Sequence, residues 1–216
     1  MSDFVTFDIL REIVFDLTEA MQVNAEFLTG LDRAIGDGDH GRNMAAGFGH
    51  VRQELLDLPP ATPGLLLRST GMTLVATVGG ASGPLYGAAF IAAGMAVGSK
   101  SLLDLADLAK MTRAGADALA RRGRCRPGDK TILDALAPAA EALAGAAAEN
   151  RSLLYGLEAA SLAAKAGMEA ATPLVARRGL AMQYGTASAG RQDPGATSCY
   201  LIFSTALRTA QRICHG

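Results

Sequence analysis

Three carboxylates, Asp32, Asp37 and Asp39, fall within eight positions of the segment "LDRAIGDGDHGRNM" (31–44), with Gly36, Gly38 and Gly41 threaded among them and His40 and Asn43 close behind. Hard oxygen donors at this spacing suit Mg²⁺, which binds through a few carboxylates and completes its shell with water or substrate phosphate oxygens. The same glycines satisfy G-x-G-x-x-G, but that dinucleotide fingerprint follows a strand and offers bare amides to a pyrophosphate. Here two aspartates stand inside the pattern and would repel a bare phosphate; a cation between them removes the repulsion. A competing account is purely local, with Asp39 as a helix cap, Asp37 as a turn residue, and Arg33 and Arg42 neutralising both. That account leaves Asp32 unexplained.

Asp32 is set apart by what precedes it. Phe7, Leu10, Val14, Leu17, Met21, Ala25 and Leu28 recur at steps of three and four, the stripe of one amphipathic helix, and four further residues reach Asp32. A carboxylate on a buried stripe must find a partner or lose its proton. Other candidates read two ways. His40 at a helix start is either a hydrogen-bonding residue or a ligand contact. Asp129 and Asp193 each precede a helix, as caps or beside amides that hold phosphate. The small residues of "GGASG" (79–83) permit either close helix packing or backbone approach to a ligand. No Ser-His-Asp order, H-E-x-x-H or Walker A pattern is present, and the three histidines lack zinc spacing.

The elements that must carry these residues are helical. Aromatics are only 5% of the chain, whereas Ala, Leu, Glu, Lys and Arg fill long periodic segments. The pattern predicts an all-α fold of eight helices in one domain, 1–216. They are a first helix running from about residue 7 into the acidic loop, then "HGRNMAAGFGHVRQELLD", "LLLRSTGMTLVATV" and "LYGAAFIAAGMAV". A fifth opens with Ser101 and Asp104 in capping-box spacing and runs to Gly123; a sixth follows "RPGD"; a seventh covers about Leu153 to Thr172; the last runs from "DPGATS" to the end. In an antiparallel up-and-down bundle every second connection lies at the same end. The connections "GDGDHG", "GGASGP", "GRCRPGDKT" and the long segment ending in "GRQDPGATS" should therefore share one rim. Residues 174 to 192 form a longer connection than compact domains usually carry, a mark of functional loops.

Bulk properties exclude other classes. A net charge of −1 gives no field for nucleic acid, and the one dense basic run, "RRGRCR" (121–126), also reads as the cationic end of a helix. Three widely spaced cysteines without C-x-x-C fit a reducing cytosol. The opening residues carry Asp3, Asp8, Arg11 and Glu12 where a signal peptide needs an apolar run. No charge occurs between Arg68 and Lys100, but "GGASGP" interrupts that stretch, so it reads as two packed helices and no membrane span.

The ordered set "GDGDHGRNM", "GMTLVATVGGASGPLYG", "RPGDKT", "ARRG" and "GRQDPGATS" closely resembles the nucleotide-binding L subunit of dihydroxyacetone kinases over nearly the whole chain. The resemblance implies an eight-helix antiparallel barrel holding ADP or ATP with two Mg²⁺ ions at one end. It implies metal binding by Asp32, Asp37 and Asp39. Nucleotide contacts would come from His40, Gly41, Arg42 and Asn43, from Ala81 and Ser82, from Gly123 and Ile132, and from Asp193, Pro194 and Gly195. It further implies a separate K-type subunit that carries the ketose on a histidine, and in one branch a phosphohistidine protein of the sugar phosphotransferase system that rephosphorylates bound ADP. In the other branch ATP exchanges freely. Relatives also act on erythrulose, and some L subunits dock transcription factors or phosphocarriers in an ADP-loaded form. The sequence departs from the family at Leu180 and Ala187, where bacterial L subunits commonly have arginine; Arg177, Arg178 and Arg191 are the nearby candidates to replace the lost charge.

Overall fold

The computed structural model describes residues 4–215, and among them the regular structure is nine α-helices and one 3-10 segment. The helices are α1 (Phe7–Val23), α2 (Ala25–Ile35), α3 (His40–Asp57), α4 (Pro63–Thr77), α5 (Ser82–Val97), α6 (Leu105–Gly123), α7 (Leu133–Ala148), α8 (Leu153–Ala171) and α9 (Pro194–His215); the 3-10 segment is Leu180–Ser188. The count exceeds eight because the first helix is broken at Asn24 (φ −95°, ψ 6°). The Asn24 side-chain amide donates to the Ala20 carbonyl at 2.8 Å, the oxygen its own backbone N–H also uses at 3.1 Å. Such local side-chain bonding competes with helix continuation. The apolar stripe survives the break, since Met21, Leu28 and Asp32 are all buried.

Helices α1, α3, α4, α5, α6, α7, α8 and α9 pack in succession, and α9 returns to α1, so the ring closes as a barrel. Short connections make successive members antiparallel. Small residues let the axes approach: a Cβ on Gly71 of α4 would lie 2.7 Å from the Gly87 carbonyl oxygen of α5. Leu17, Met21, Phe48, Leu74 and Leu119 are wholly buried in the core, and Phe48 meets Phe90 edge to face at 6.3 Å. The uncharged run around "GGASGP" is divided between α4 and α5, and no helix among the described residues is long and apolar enough to cross a membrane.

The helices that begin at one end carry their own caps. Thr6, Thr62, Asp104 and Ser152 each accept a first-turn amide of α1, α4, α6 and α8, all from extended backbone. The capping box of α6 is formed by Asp104 with Asp107, not by Ser101 with Asp104, because Asp104 is the residue that is extended and Asp107 stands three positions on. At the opposite rim α3, α5, α7 and α9 begin, with α2 inserted there against α3, α9 and the 3-10 segment.

Candidate functional site

All four connections at that rim line one cleft of about 780 Å³. Asp32, Asp37, Asp39 and His40 come from the first, Gly79 to Ser82 from the second, Gly123 and Lys130 to Ile132 from the third, and Arg178 to Ala181 with Asp193 to Gly195 from the fourth.

The first connection is organised by Asp32. Its Oδ2 accepts the backbone N–H of Asp39 at 2.9 Å and of His40 at 3.1 Å, so α2 caps α3 across the loop. Asp39 stands at the N-cap position but forms no side-chain cap bond, and its carboxylate faces the others. Gly36 is required by this packing, because a Cβ there would lie 2.2 Å from Asp32 Oδ1. One ligand oxygen from each of Asp32, Asp37 and Asp39 lies within 4.8 Å of the other two. Burial raises the Asp39 pKa above its ordinary value; Asn43 lowers it through a hydrogen bond, and Asp37 raises it again. The local account of this loop fails on one observation. Among the described residues neither Arg33 nor Arg42 pairs with a carboxylate, and Arg42 instead donates to the Gly38 carbonyl at 2.9 Å. Three carboxylates crowded without a cationic side chain fit a divalent ion.

His40 joins three helices. Its Nδ1 lies 2.9 Å from Ser82 Oγ at the start of α5, and its Nε2 lies 2.9 Å from Ser198 Oγ in the first turns of α9. Ser198 Oγ is 2.7 Å from the Tyr86 hydroxyl, which donates to the Gly195 carbonyl at 3.1 Å. Burial depresses the His40 pKa to about 4, so the ring is neutral and both nitrogens serve this network.

The third and fourth connections are locked together by Lys130. This lysine has φ +63° and is 1% exposed, and its ammonium donates to the carbonyls of Ala171 at 3.0 Å, Thr172 at 2.8 Å and Arg191. It thereby fastens both ends of the long segment whose middle is the 3-10 turn. Tyr184 pins that middle to the acidic loop, donating to the Gly36 carbonyl at 3.0 Å. The turn that leads into α7 is held from within the helix, since Asp134 accepts the N–H of Thr131 at 2.7 Å and that of Gly128, while the Thr131 hydroxyl accepts the Leu133 amide at 3.2 Å. Asp193 caps α9 through the Ala196 N–H at 2.7 Å. Burial raises its pKa to about 7, against the opposing pull of that N–H and of Lys130.

Of the residues singled out in the sequence, Asp32, Asp37, Asp39, His40, Ala81, Ser82, Gly123, Ile132, Asp193, Pro194 and Gly195 line the cleft; Gly41, Arg42 and Asn43 lie in the first turn of α3 and do not line it. Asp129 does not cap α7: its carboxylate accepts the Arg126 N–H at 3.1 Å. Leu180 lines the cleft, and of the three candidate replacement arginines only Arg178 does so. Sequence reading passed over Arg122, Lys130 and Thr131, which line the cleft, although Lys130 and Thr131 stood in the quoted "GDKT".

The DAK2 domain model matches residues 34–208. The chain is 44% identical over 180 residues to the PEP-dependent dihydroxyacetone kinase, ADP-binding subunit DhaL, of Escherichia coli K12, covering 83% of this chain and 86% of that one. It is 35% identical over 191 residues to the D-erythrulose kinase of Mycolicibacterium smegmatis, covering 88% of this chain and 33% of that one. Among solved structures, the dihydroxyacetone kinase of C. freundii in complex with AMP-PNP and Mg²⁺ superposes with a TM-score of 0.71 at 27% identity, over 95% of this chain and 34% of that longer one. The matched segment contains Asp37, Asp39 and all four connections of the cleft, with Asp32 two residues before its start, and on these grounds the chain belongs to the DAK2 domain family.

Proposed function

We propose that this chain is the nucleotide-holding subunit of a two-component dihydroxyacetone kinase, in line with its E. coli relative, named the ADP-binding subunit of a PEP-dependent dihydroxyacetone kinase, and that the rim cleft is where ADP or ATP binds with Mg²⁺. The observation that carries the reading is the meeting, in one cleft, of three arginine-free carboxylates with the first turns of α3, α5, α7 and α9. Carboxylates alone repel phosphate and helix N-termini alone attract it, and the two are reconciled by a cation held between them.

In this reading Asp32, Asp37 and Asp39 hold the metal, with two ions expected from the family resemblance. The ion supplies charge neutralisation for the phosphate oxygens. The residues of the chain do the rest. Asp32 keeps the amides of Asp39 and His40 fixed, the neutral His40 ring fixes Ser82 and Ser198 relative to one another, and the uncapped start of α5 at Ala81 and Ser82 offers its amides to phosphate. Gly123 and the buried Ile132 form the apolar wall for a base. Arg178 supplies the guanidinium that Leu180 lacks.

In this reading the cleft holds the phosphate donor, and a partner of K type, which the family resemblance implies, presents the ketose and chooses it; the D-erythrulose kinase relative makes erythrulose the second substrate to test. A phosphohistidine carrier is the proposed source of phosphate for bound ADP, and a reducing cytosol is the proposed setting, in keeping with three widely spaced cysteines without C-x-x-C. The test is reconstitution. The chain, Mg²⁺, a ketose-loaded K-type subunit and either ATP or the phosphorylated carrier are combined and ketose phosphate is assayed. Turnover that needs every component is expected; turnover without this chain, or none with any donor, contradicts the proposal.

A further inference from the structure

The arginine-rich run after α6 has a place in the fold that nucleotide binding does not use. Beside the cleft lies a second hollow of about 510 Å³, lined by Arg124, Cys125, Arg126, Asp129, Arg177 and Arg178. Two runs separated by some fifty residues in sequence meet there, and Asp129 brings them together. Its carboxylate accepts the Arg126 N–H at 3.1 Å, while its carbonyl accepts the Arg177 N–H at 3.0 Å. The same buried carboxylate has Arg126 Nε at 3.9 Å and Arg178 Nε at 3.6 Å. Both exceed hydrogen-bond length, so the guanidinium forks are steered without being consumed. Arg124, held in left-handed backbone (φ 47°, ψ 40°), and Arg177 form no ion pair among the described residues.

Four guanidiniums therefore face one hollow against a single carboxylate that is already engaged. Like charges gathered in a concavity concentrate a positive field, and several guanidinium forks converging from different strands of chain match the many acceptor oxygens of a phosphate better than the two of a carboxylate. Burial pushes the thiol of the half-buried Cys125 up, away from its thiolate form, so it adds no negative charge to the hollow. We infer that this hollow is a second anion site, distinct from the nucleotide cleft, that binds a free phosphate-class anion. Arg178 lines both the hollow and the cleft, so an anion in one must alter the charge presented to the other, and the two affinities are linked reciprocally.

The test is a phosphorus NMR line-broadening titration of inorganic phosphate. It is run on the chain saturated with Mg·ADP, which fills the cleft, and on the chain alone. The same titrations are made on Arg126→Gln/Arg177→Gln, which removes two exposed guanidiniums that line only the hollow, and on Arg124→Gln as a second, independent variant. Saturable binding of one phosphate to the Mg·ADP-loaded chain is expected, weakened at least tenfold in the double variant and severalfold in Arg124→Gln, with Mg·ADP affinity in phosphate-free buffer unchanged within twofold. Absence of saturable phosphate binding to the loaded chain, or equal binding by wild type and both variants, overturns the inference. If Mg·ADP itself fails to bind, the proposed function falls, while the titration of the free chain against its variants still decides whether the hollow is an anion site.

Discussion

The two ends of the barrel solve the same problem in opposite ways. At one end α1, α4, α6 and α8 each begin on an extended residue whose own side chain caps the first turn: Thr6, Thr62, Asp104 and Ser152. At the other, the N-cap positions of α3, α5 and α7 are Asp39, Ala81 and Ile132, all in right-handed helical backbone and none capping with its side chain. Asp32 serves α3 from across the loop, the Thr131 hydroxyl accepts the first amide of α7, α5 receives no capping side chain, and α9 is the exception, capped by its own Asp193. A wholly self-capped end is finished as a structure, whereas an end where α3 is served by a remote carboxylate and α5 is left open keeps helix starts available to a ligand.

That contrast can be broken experimentally, and the largest effect is expected where the open end is tied down. Lys130→Met removes the ammonium that joins three carbonyls and should cost about 3 kcal/mol, from charge-assisted bonds of about 1.5–3 kcal/mol each that partly relax to water. Urea denaturation measures the loss, and hydrogen exchange should localise it to residues 172–191. A change under about 0.5 kcal/mol would show that the long segment is held by something else.

The open end also predicts a pH signature. Burial holds the His40 pKa down near 4 from 6.5, so its contribution to stability is present above 6.5 and is lost as pH falls towards 4. Asp193 runs the other way: with its pKa raised from 3.8 to about 7, its contribution is present below 3.8 and is lost as pH rises through 7. Between these limits the two slopes oppose each other. Asp193→Asn, which can retain the cap of α9, should uncover the His40 slope, at most about 1.4 kcal/mol per pH unit. Urea midpoints at several values between pH 4.5 and 6.5 should climb more steeply in the variant, and parallel profiles would refute the assignment.

Smaller effects sharpen the comparison. Ala81→Asp places a carboxylate at an uncapped start whose backbone is wrong for self-capping, so Mg·ADP affinity should fall at least tenfold, about 1.4 kcal/mol, with an unchanged melting temperature. Thr62→Ala at the closed end should do the reverse, costing about 1 kcal/mol of stability and leaving nucleotide affinity intact. Calorimetry and thermal melts on both variants would expose any mixing of the two roles.

Much of this was legible before the fold was seen. The meeting of four connections at one rim follows from helix periodicity and the alternation of an antiparallel bundle, and Asp32 announced itself by falling on an apolar stripe. What escaped were interactions without a local pattern. The break at Asn24 depends on one side chain competing for the Ala20 carbonyl, which periodicity averages over. Lysine is ordinarily exposed, so nothing in "GDKT" marked Lys130 as a buried clamp for carbonyls some forty and sixty positions on. Arg178 lines the cleft and the adjacent Arg177 does not, a difference made by the turn of a single residue, which sequence spacing does not resolve.

The central claim is that the acidic loop exists to hold a divalent cation against nucleotide phosphate. Titration calorimetry of ADP and ATP with Mg²⁺, repeated in EDTA and with Asp37→Ala, tests it most directly. Asp37 is exposed and forms no ion pair among the described residues, so the variant should remain folded. The account predicts binding that requires both the metal and Asp37, with affinity reduced at least a hundredfold when either is removed. Equal binding with and without Mg²⁺, or full affinity in Asp37→Ala, would contradict it.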